Sequence, residues 1–266
     1  MRLHDFIPGL AYRTVCLYGF PPQTRGEWRA TYELLLRCFE RIGVKPNTIT
    51  VDGAPGLSDA AMPIDTWRTW IARHGFPIPS ALSAGSGYLG RLHLRAPWLH
   101  TRAHGNIYSR EAFDGGRFMF ISDAGLDRWT PAAYTAIARD AWSIKSFEYG
   151  YAHTHADPIG FASGSAELHD ALRWKWQVFT IDTRRGGARY SERLRDIFPL
   201  NYLVESHLSF QLGEQPLREW IIASPSRGTL TNLELGLWCW SVPENIIPQV
   251  RSALEPSGLL VTPGGS

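Results

Sequence analysis

The sequence predicts an α+β fold, with mixed or antiparallel sheets and helices packed mainly on one face. Three observations carry this reading. Strand-like segments recur at 11–20, 47–51, 89–95, 117–122 and 237–242. Amphipathic helical patterns with recognisable caps fall between some of them. The two kinds of element alternate irregularly, unlike a repeating βαβ array. A chain of 266 residues can bury a substantial core without staples. The organisation expected is a single domain over 1–266, with two similar subdomains divided within 76–116 as the alternative and a flexible tail at 263–266.

Each element has its own justification. Ala11 to Phe20 is rich in Tyr, Val, Cys and Leu and stops at Pro21-Pro22, the mark of a strand. Thr24 and Glu27 have capping-box spacing, ahead of Trp28, Tyr32, Leu35, Leu36 and Phe39 on one helical face, and Gly43 closes that helix. Asn47 to Val51 is a second strand and 53–63 a loop. A short helix after Asp65 would bury Trp67, Trp70 and Ile71 and stop at Gly75. Residues 76–87, rich in Pro, Gly and Ser, read as a linker or long surface loop. Residues 89–95 alternate as a half-buried strand, and 117–122 is another. Thr130 as cap and Pro131 at the first helical position open the clearest helix, lined by Tyr134, Ile137, Ala138, Ala141 and Trp142.

The second half is less regular. A strand is expected at 178–182, followed by a basic turn at 183–189. A short helix at 216–223 carries Leu217, Trp220 and Ile221, and 237–242 is a strand. An interior proline breaks a helix, so the last helix should start near Pro248. Residues 259–262 would form a final strand.

Composition excludes several classes. With 27 Lys and Arg against 25 Asp and Glu, the chain is neither a polyanion-coating protein nor an acidic mimic of DNA. A 44% hydrophobic, 20% charged composition excludes extensive disorder. Cys16, Cys38 and Cys239 are far apart and form no CxxC, which argues against a disulfide framework or structural zinc and for a reducing compartment. The first twenty residues lack a secretory layout, and no apolar run reaches the roughly 18 residues of a membrane span. A cytoplasmic protein with no membrane partner is expected.

Few motifs carry chemistry. His153, His155 and Asp157 in HTHADPIG resemble the HxHxDH motif of the metallo-β-lactamase superfamily, and alternation would set the three on one side of an extended segment. Pro158 stands where that family has its fourth ligand, and neither His169 nor His207 has the setting of the later ones. Gly85, Gly87 and Gly90 match GxGxxG, but a Pro-containing loop precedes them and a strand pattern follows, so a turn is expected there. A GxSxG elbow and a P-loop are absent. His93, His100 and His104 are scattered around Trp98 and read as ordinary core or surface histidines. Arg184, Arg185, Arg189, Arg193 and Arg195 form the one basic cluster. Only Tyr190 interleaves with it, so it reads as a solvated turn with no direct nucleic-acid contact.

The 11 tryptophans divide into two sets. Trp28, Trp67, Trp70, Trp142 and Trp220 fall on apolar helical faces and read as core. Trp174/Trp176 and Trp238/Trp240 are i,i+2 pairs whose role stays open between core and surface. Residues 147–151 (FEYGY) set aromatic side chains beside an acid, the composition of a binding hot spot.

The stretches LRDIFPLNYLVESHL (194–208), PLREWI (216–221), RGTL (227–230), LWCWSV (237–242) and VRSALEPSGLL (250–260) follow one another in an order similar to the C-terminal region of bacterial immunity proteins that accompany polymorphic toxins, in particular the immunity protein 52 family. YGYAH at 149–153 resembles the same family. The resemblance implies a cytoplasmic α+β protein encoded beside a toxin with a restriction-endonuclease-like nuclease domain, in some cases a type VI secretion effector. It implies a function of binding alone: no catalytic residue, no cofactor, and a cognate toxin as partner. Glu148, Tyr149, Tyr151 and Asp157 are the candidate partner-binding residues. The alternative is a metal-dependent hydrolase with a degenerate motif, using His153, His155 and Asp157.

Overall fold

The structure is a computed structural model that describes residues 12–20, 22–54, 56–57, 61–79, 81–86, 103–108, 116–123, 130–155 and 190–260. The fold is α+β. The chain forms two compact units, one of residues 1–146 with 154–158, the other of 147–153 with 159–266. The division therefore falls after Ser146 and not within 76–116. Residues 81–86, expected to be linker, instead form a strand hydrogen-bonded on both sides.

The first unit holds β1 (Tyr12–Tyr18), β2 (Thr48–Asp52), β3 (Met62–Pro63), β4 (Ala81–Ser86), β5 (Ala103–Tyr108) and β6 (Arg117–Asp123). They run in the order β1-β6-β5-β4-β2-β3, each pair antiparallel. Gly85 sits inside β4 opposite His104 of β5, so the GxGxxG spacing begins in a strand rather than in the expected turn.

Helix α1 (Arg25–Arg41) starts as its sequence requires. The Thr24 hydroxyl accepts from the Glu27 amide at 3.1 Å, and the Glu27 carboxylate accepts from the Gln23 and Thr24 amides. Burial alone would raise the Glu27 carboxyl. Those two amides and the Lys145 ammonium outweigh it and hold the group below its ordinary value. Its core face is Trp28, Tyr32, Leu35 and Phe39 with Leu34 and Cys38, whereas Leu36 is half-buried.

Phe39 meets Phe120 of β6 edge to face at 5.0 Å. Tyr32 meets Trp67 of α2 (Ile64–His74) at 6.1 Å, and α1 also packs on α3 (Pro131–Ile144), where Arg41 donates to the Ala133 carbonyl. The three helices thus form one layer centred on α1. Thr130 caps α3 as expected. In α2 only Ile64 and Trp67 are buried. Trp70 and Ile71, expected in the core, are half-exposed because an 11-residue helix at the edge covers the layer with one narrow stripe.

The second unit contains β7 (Tyr149–His155, through His153), β8 (Leu200–Leu203), β9 (Gln211–Leu212), β10 (Gln215–Pro216), β11 (Thr229–Glu234) and β12 (Leu237–Ser241). Its main sheet runs β11-β12-β8-β7, all antiparallel, and β9 pairs with β10. Helices α4 (Glu205–Leu208), α5 (Leu217–Ile222) and α6 (Ile247–Leu254) complete it, with Pro248 in the first turn of α6 as its chemistry demands. Of the final strand expected at 259–262, Leu260 forms a parallel bridge with Leu194, and residues 261–262 lie outside the described residues.

Asn201, fully buried, ties the turn before β8 to the sheet. It accepts from the Phe198 amide and donates to the carbonyls of Phe198 and Trp240. Cys16, Cys38 and Cys239 are reduced and buried. Among the described residues no helix is long and apolar enough to cross a membrane. The expectations at 89–95, 178–182, 183–189 and 263–266, and those on His93, Trp98, His100, His169, Trp174 and Trp176, lie outside the described residues.

Candidate partner-binding surface

Of the residues expected to contact a partner, Tyr149 and Tyr151 are placed differently by the fold. Both are 0% exposed. The alternation Tyr149-Gly150-Tyr151-Ala152 sets large rings on one side of β7 and small residues on the other, so the strand is covered on both sides. The Tyr151 ring stacks on Phe198 at 4.1 Å, and its hydroxyl accepts from Arg195 Nη1 at 2.8 Å. The Tyr149 hydroxyl donates to the Asp196 carbonyl. An acid-flanked aromatic run looked like surface, but each phenol has a buried polar partner, which makes it core. Glu148 is half-buried at the start of the strand, and Asp157 lies outside the described residues.

The histidines follow the same logic. The His153 ring continues the aromatic ladder, 5.7 Å from Tyr151 and 4.9 Å from Phe198. His155 ends β7. Among the described residues no group of three or more His, Cys, Asp or Glu side chains is placed to hold a metal ion. His207 is buried, its Nε2 bonding the Tyr190 carbonyl at 2.7 Å and its Nδ1 accepting from the Val204 amide. That pattern is one neutral tautomer, and burial pushes its pKa down to about 4.

The structure brings together other residues, on α4, α5, β11 and β12. Trp238 and Trp240 share one face of β12, under α5. Trp240 is buried, its indole donating to the Arg227 carbonyl at 2.7 Å and its ring meeting Trp220 of α5 edge to face. Trp238 is half-exposed. Its indole donates to Glu205 at 2.7 Å, Arg218 lies 4.3 Å over its ring, and Arg218 closes the triangle with an ion pair to Glu205. Arg227 lies over Trp220 at 4.4 Å and donates to the Trp220 carbonyl. Trp and Arg held in this way, half-exposed and stiffened by neighbours, have the composition of a protein–protein contact. Ile222, at the end of α5, is 67% exposed, and Leu235, at the β11–β12 turn, is 96% exposed. The i,i+2 tryptophan pair was the sequence signal for this face. Which ring is covered depends on α5, fifteen residues or more earlier in the chain, so spacing could not say.

A second surface feature lies on α2. Asp65, Thr66, Thr69, Trp70, Arg73 and His74 border a shallow open depression of about 460 Å³. Trp70 stacks on Trp67 at 5.8 Å and on His74 at 4.8 Å, so its ring is engaged by the helix's own side chains.

Compared with known proteins, the chain matches no family model and no curated protein by sequence. Its fold is similar to that of a Pseudomonas aeruginosa T6SS protein, at 12% identity and a TM-score of 0.56, covering 97% of this chain and 76% of the other.

Proposed function

We propose that this chain is an immunity protein that binds a co-encoded toxin, a nuclease effector, and neutralises it by stoichiometric protein–protein inhibition. The observation that carries the reading is the fold likeness to a T6SS protein along nearly the whole chain. Type VI secretion delivers toxins between bacteria, and a cell that makes them needs inhibitors. The segments similar to the immunity protein 52 family add support. All of them lie in the second unit, and they build its core and the Trp–Arg face. Trp238 with Arg218 and Trp220 with Arg227, held by their neighbours, supply the Trp and Arg side chains in which protein–protein contacts are rich.

The test is genetic and biochemical. Cells expressing the adjacent reading frame should survive only when this chain is co-expressed, and the two products should co-purify at equal stoichiometry. A harmless neighbour, or a toxic one that forms no complex with this chain, would remove the reading.

A further inference from the structure

The main sheet of the second unit ends on β11, and that edge is open. Among the described residues no strand pairs with its outer side. Thr229, Thr231, Asn232 and Glu234 are exposed and Leu230 and Leu233 half-exposed, so the fold leaves most of the strand in water. A sheet edge of this kind carries a row of N–H and C=O groups that suit one kind of occupant, another extended strand. Proteins usually guard such edges with Lys, with Pro or with very short strands. In the first unit the edge strand β3 is guarded: it has two residues and ends in Pro63. β11 has six residues, TLTNLE, without Lys, Arg or Pro.

The hairpin limits which part of the edge can serve. Its register with β12 shifts between Asn232 and Glu234, and the Asn232 side chain donates to the Glu234 carbonyl at 3.2 Å. A bulge bends its strand and interrupts the ladder, so the regular receiving stretch is Thr229–Asn232. That stretch is uncharged, with β-branched Thr at every second residue. An exposed apolar side chain borders each end of β11. Leu235, 96% exposed, follows it at the turn. Ile222, 67% exposed, ends α5, and residues 223–228 join it to Thr229. Helix α5 packs on β11, and Arg227, over the Trp220 ring at 4.4 Å, holds the end of α5 beside the entry to the strand.

We propose that β11 is a self-association edge, on which a second copy of this chain pairs through its own β11, antiparallel about a two-fold axis. Such an axis sets identical surfaces against each other, so each copy must be able to receive what it offers. The strand meets that condition. Centred on Thr231, the pairing sets Thr231 against Thr231 and Leu230 against Asn232, with no like charges opposed. Antiparallel pairing also carries Leu235 of each copy toward the entry of β11 in the other, the end at which Ile222 is exposed. One operation thus covers both apolar side chains in both copies. A ladder of this length buries less than the roughly 1,200 Å² of a standard interface, so the dimer forms and dissociates with concentration. The inference does not depend on the immunity reading.

The experiment follows the full-length chain by sedimentation velocity across roughly 5–500 µM, where interfaces of this size associate. Wild type should pass from monomer to dimer. Thr231→Lys should weaken the dimer about tenfold or more, because the two lysines would face each other at the axis. Thr231→Glu should do the same, and an equimolar mixture of the two variants should recover association, as opposite charges across the axis require. Leu235→Ser should weaken the dimer severalfold, and Ile78→Ser, in the first unit, should match wild type within about twofold. All of these positions are exposed, so the variants keep the fold, which circular dichroism and thermal melting check. A chain that is monomeric at every concentration overturns the proposal, and so does a dimer that Thr231→Lys leaves intact. If the chain stays monomeric while Thr231→Lys weakens binding of the adjacent reading frame's product, the edge serves a foreign strand and the second copy is wrong.

Discussion

His207 shows how one side chain ties the second unit to pH. It is held neutral between the Val204 amide and the Tyr190 carbonyl, with a folded pKa of about 4 against an ordinary 6.5. The unfolded chain takes up the proton first as pH falls. Stability is therefore intact above pH ~6.5, declines by about 1.4 kcal/mol per pH unit below it, and levels off near the folded value, about 3 kcal/mol in all. Urea midpoints at several pH values check this. The slope between pH 6 and 4.5 should be shallower in His207→Gln than in wild type. No single-sequence signal marked this residue, because a histidine's burial is decided by what folds over it. The same holds for Tyr149 and Tyr151. Their alternation with Gly150 and Ala152 was visible, but the partners that make them core, Arg195 and Asp196, come more than forty residues later.

At the scale of elements, local chemistry was legible where caps and breakers act within four residues. Thr24 and Glu27, Thr130 and Pro131, and Pro248 all do what their positions require. Thr24→Ala should cost about 1 kcal/mol in thermal or urea unfolding, since the Glu27 amide loses its acceptor while Glu27 keeps its own contacts. Elements defined by pairing were less legible. β4 is Ala, Ser and Gly over much of its length, a composition that reads as loop until β2 and β5 supply hydrogen bonds on both sides. Glycines make the contrast quantitative. Gly43 has φ +69° and open space around it, so Gly43→Ala should cost only about 1 kcal/mol of backbone strain. Gly228 has φ +92°, and an added methyl would collide with the Ser241 carbonyl oxygen and crowd the Trp240 indole. Gly228→Ala should cost about 3 kcal/mol or more by the same assay, because strain and overpacking combine at the start of β11.

For the whole molecule, the near-balanced net charge conceals an uneven distribution along the chain. Charge reversal at Glu214 and Glu219 should leave stability within about 0.5 kcal/mol, since both are exposed. The α+β class could be read because patterning alone decides it. The position of the division after Ser146 could not, because contacts distant in sequence set it. The cysteines have a practical consequence. All three are buried, and burial pushes the Cys38 thiol up to about 12, far from the thiolate that alkylating reagents require. The natural chain is thus ready for site-specific labelling without deleting a residue. A Leu235→Cys substitution at the exposed β11–β12 turn would carry a single fluorophore while the three native thiols stay covered.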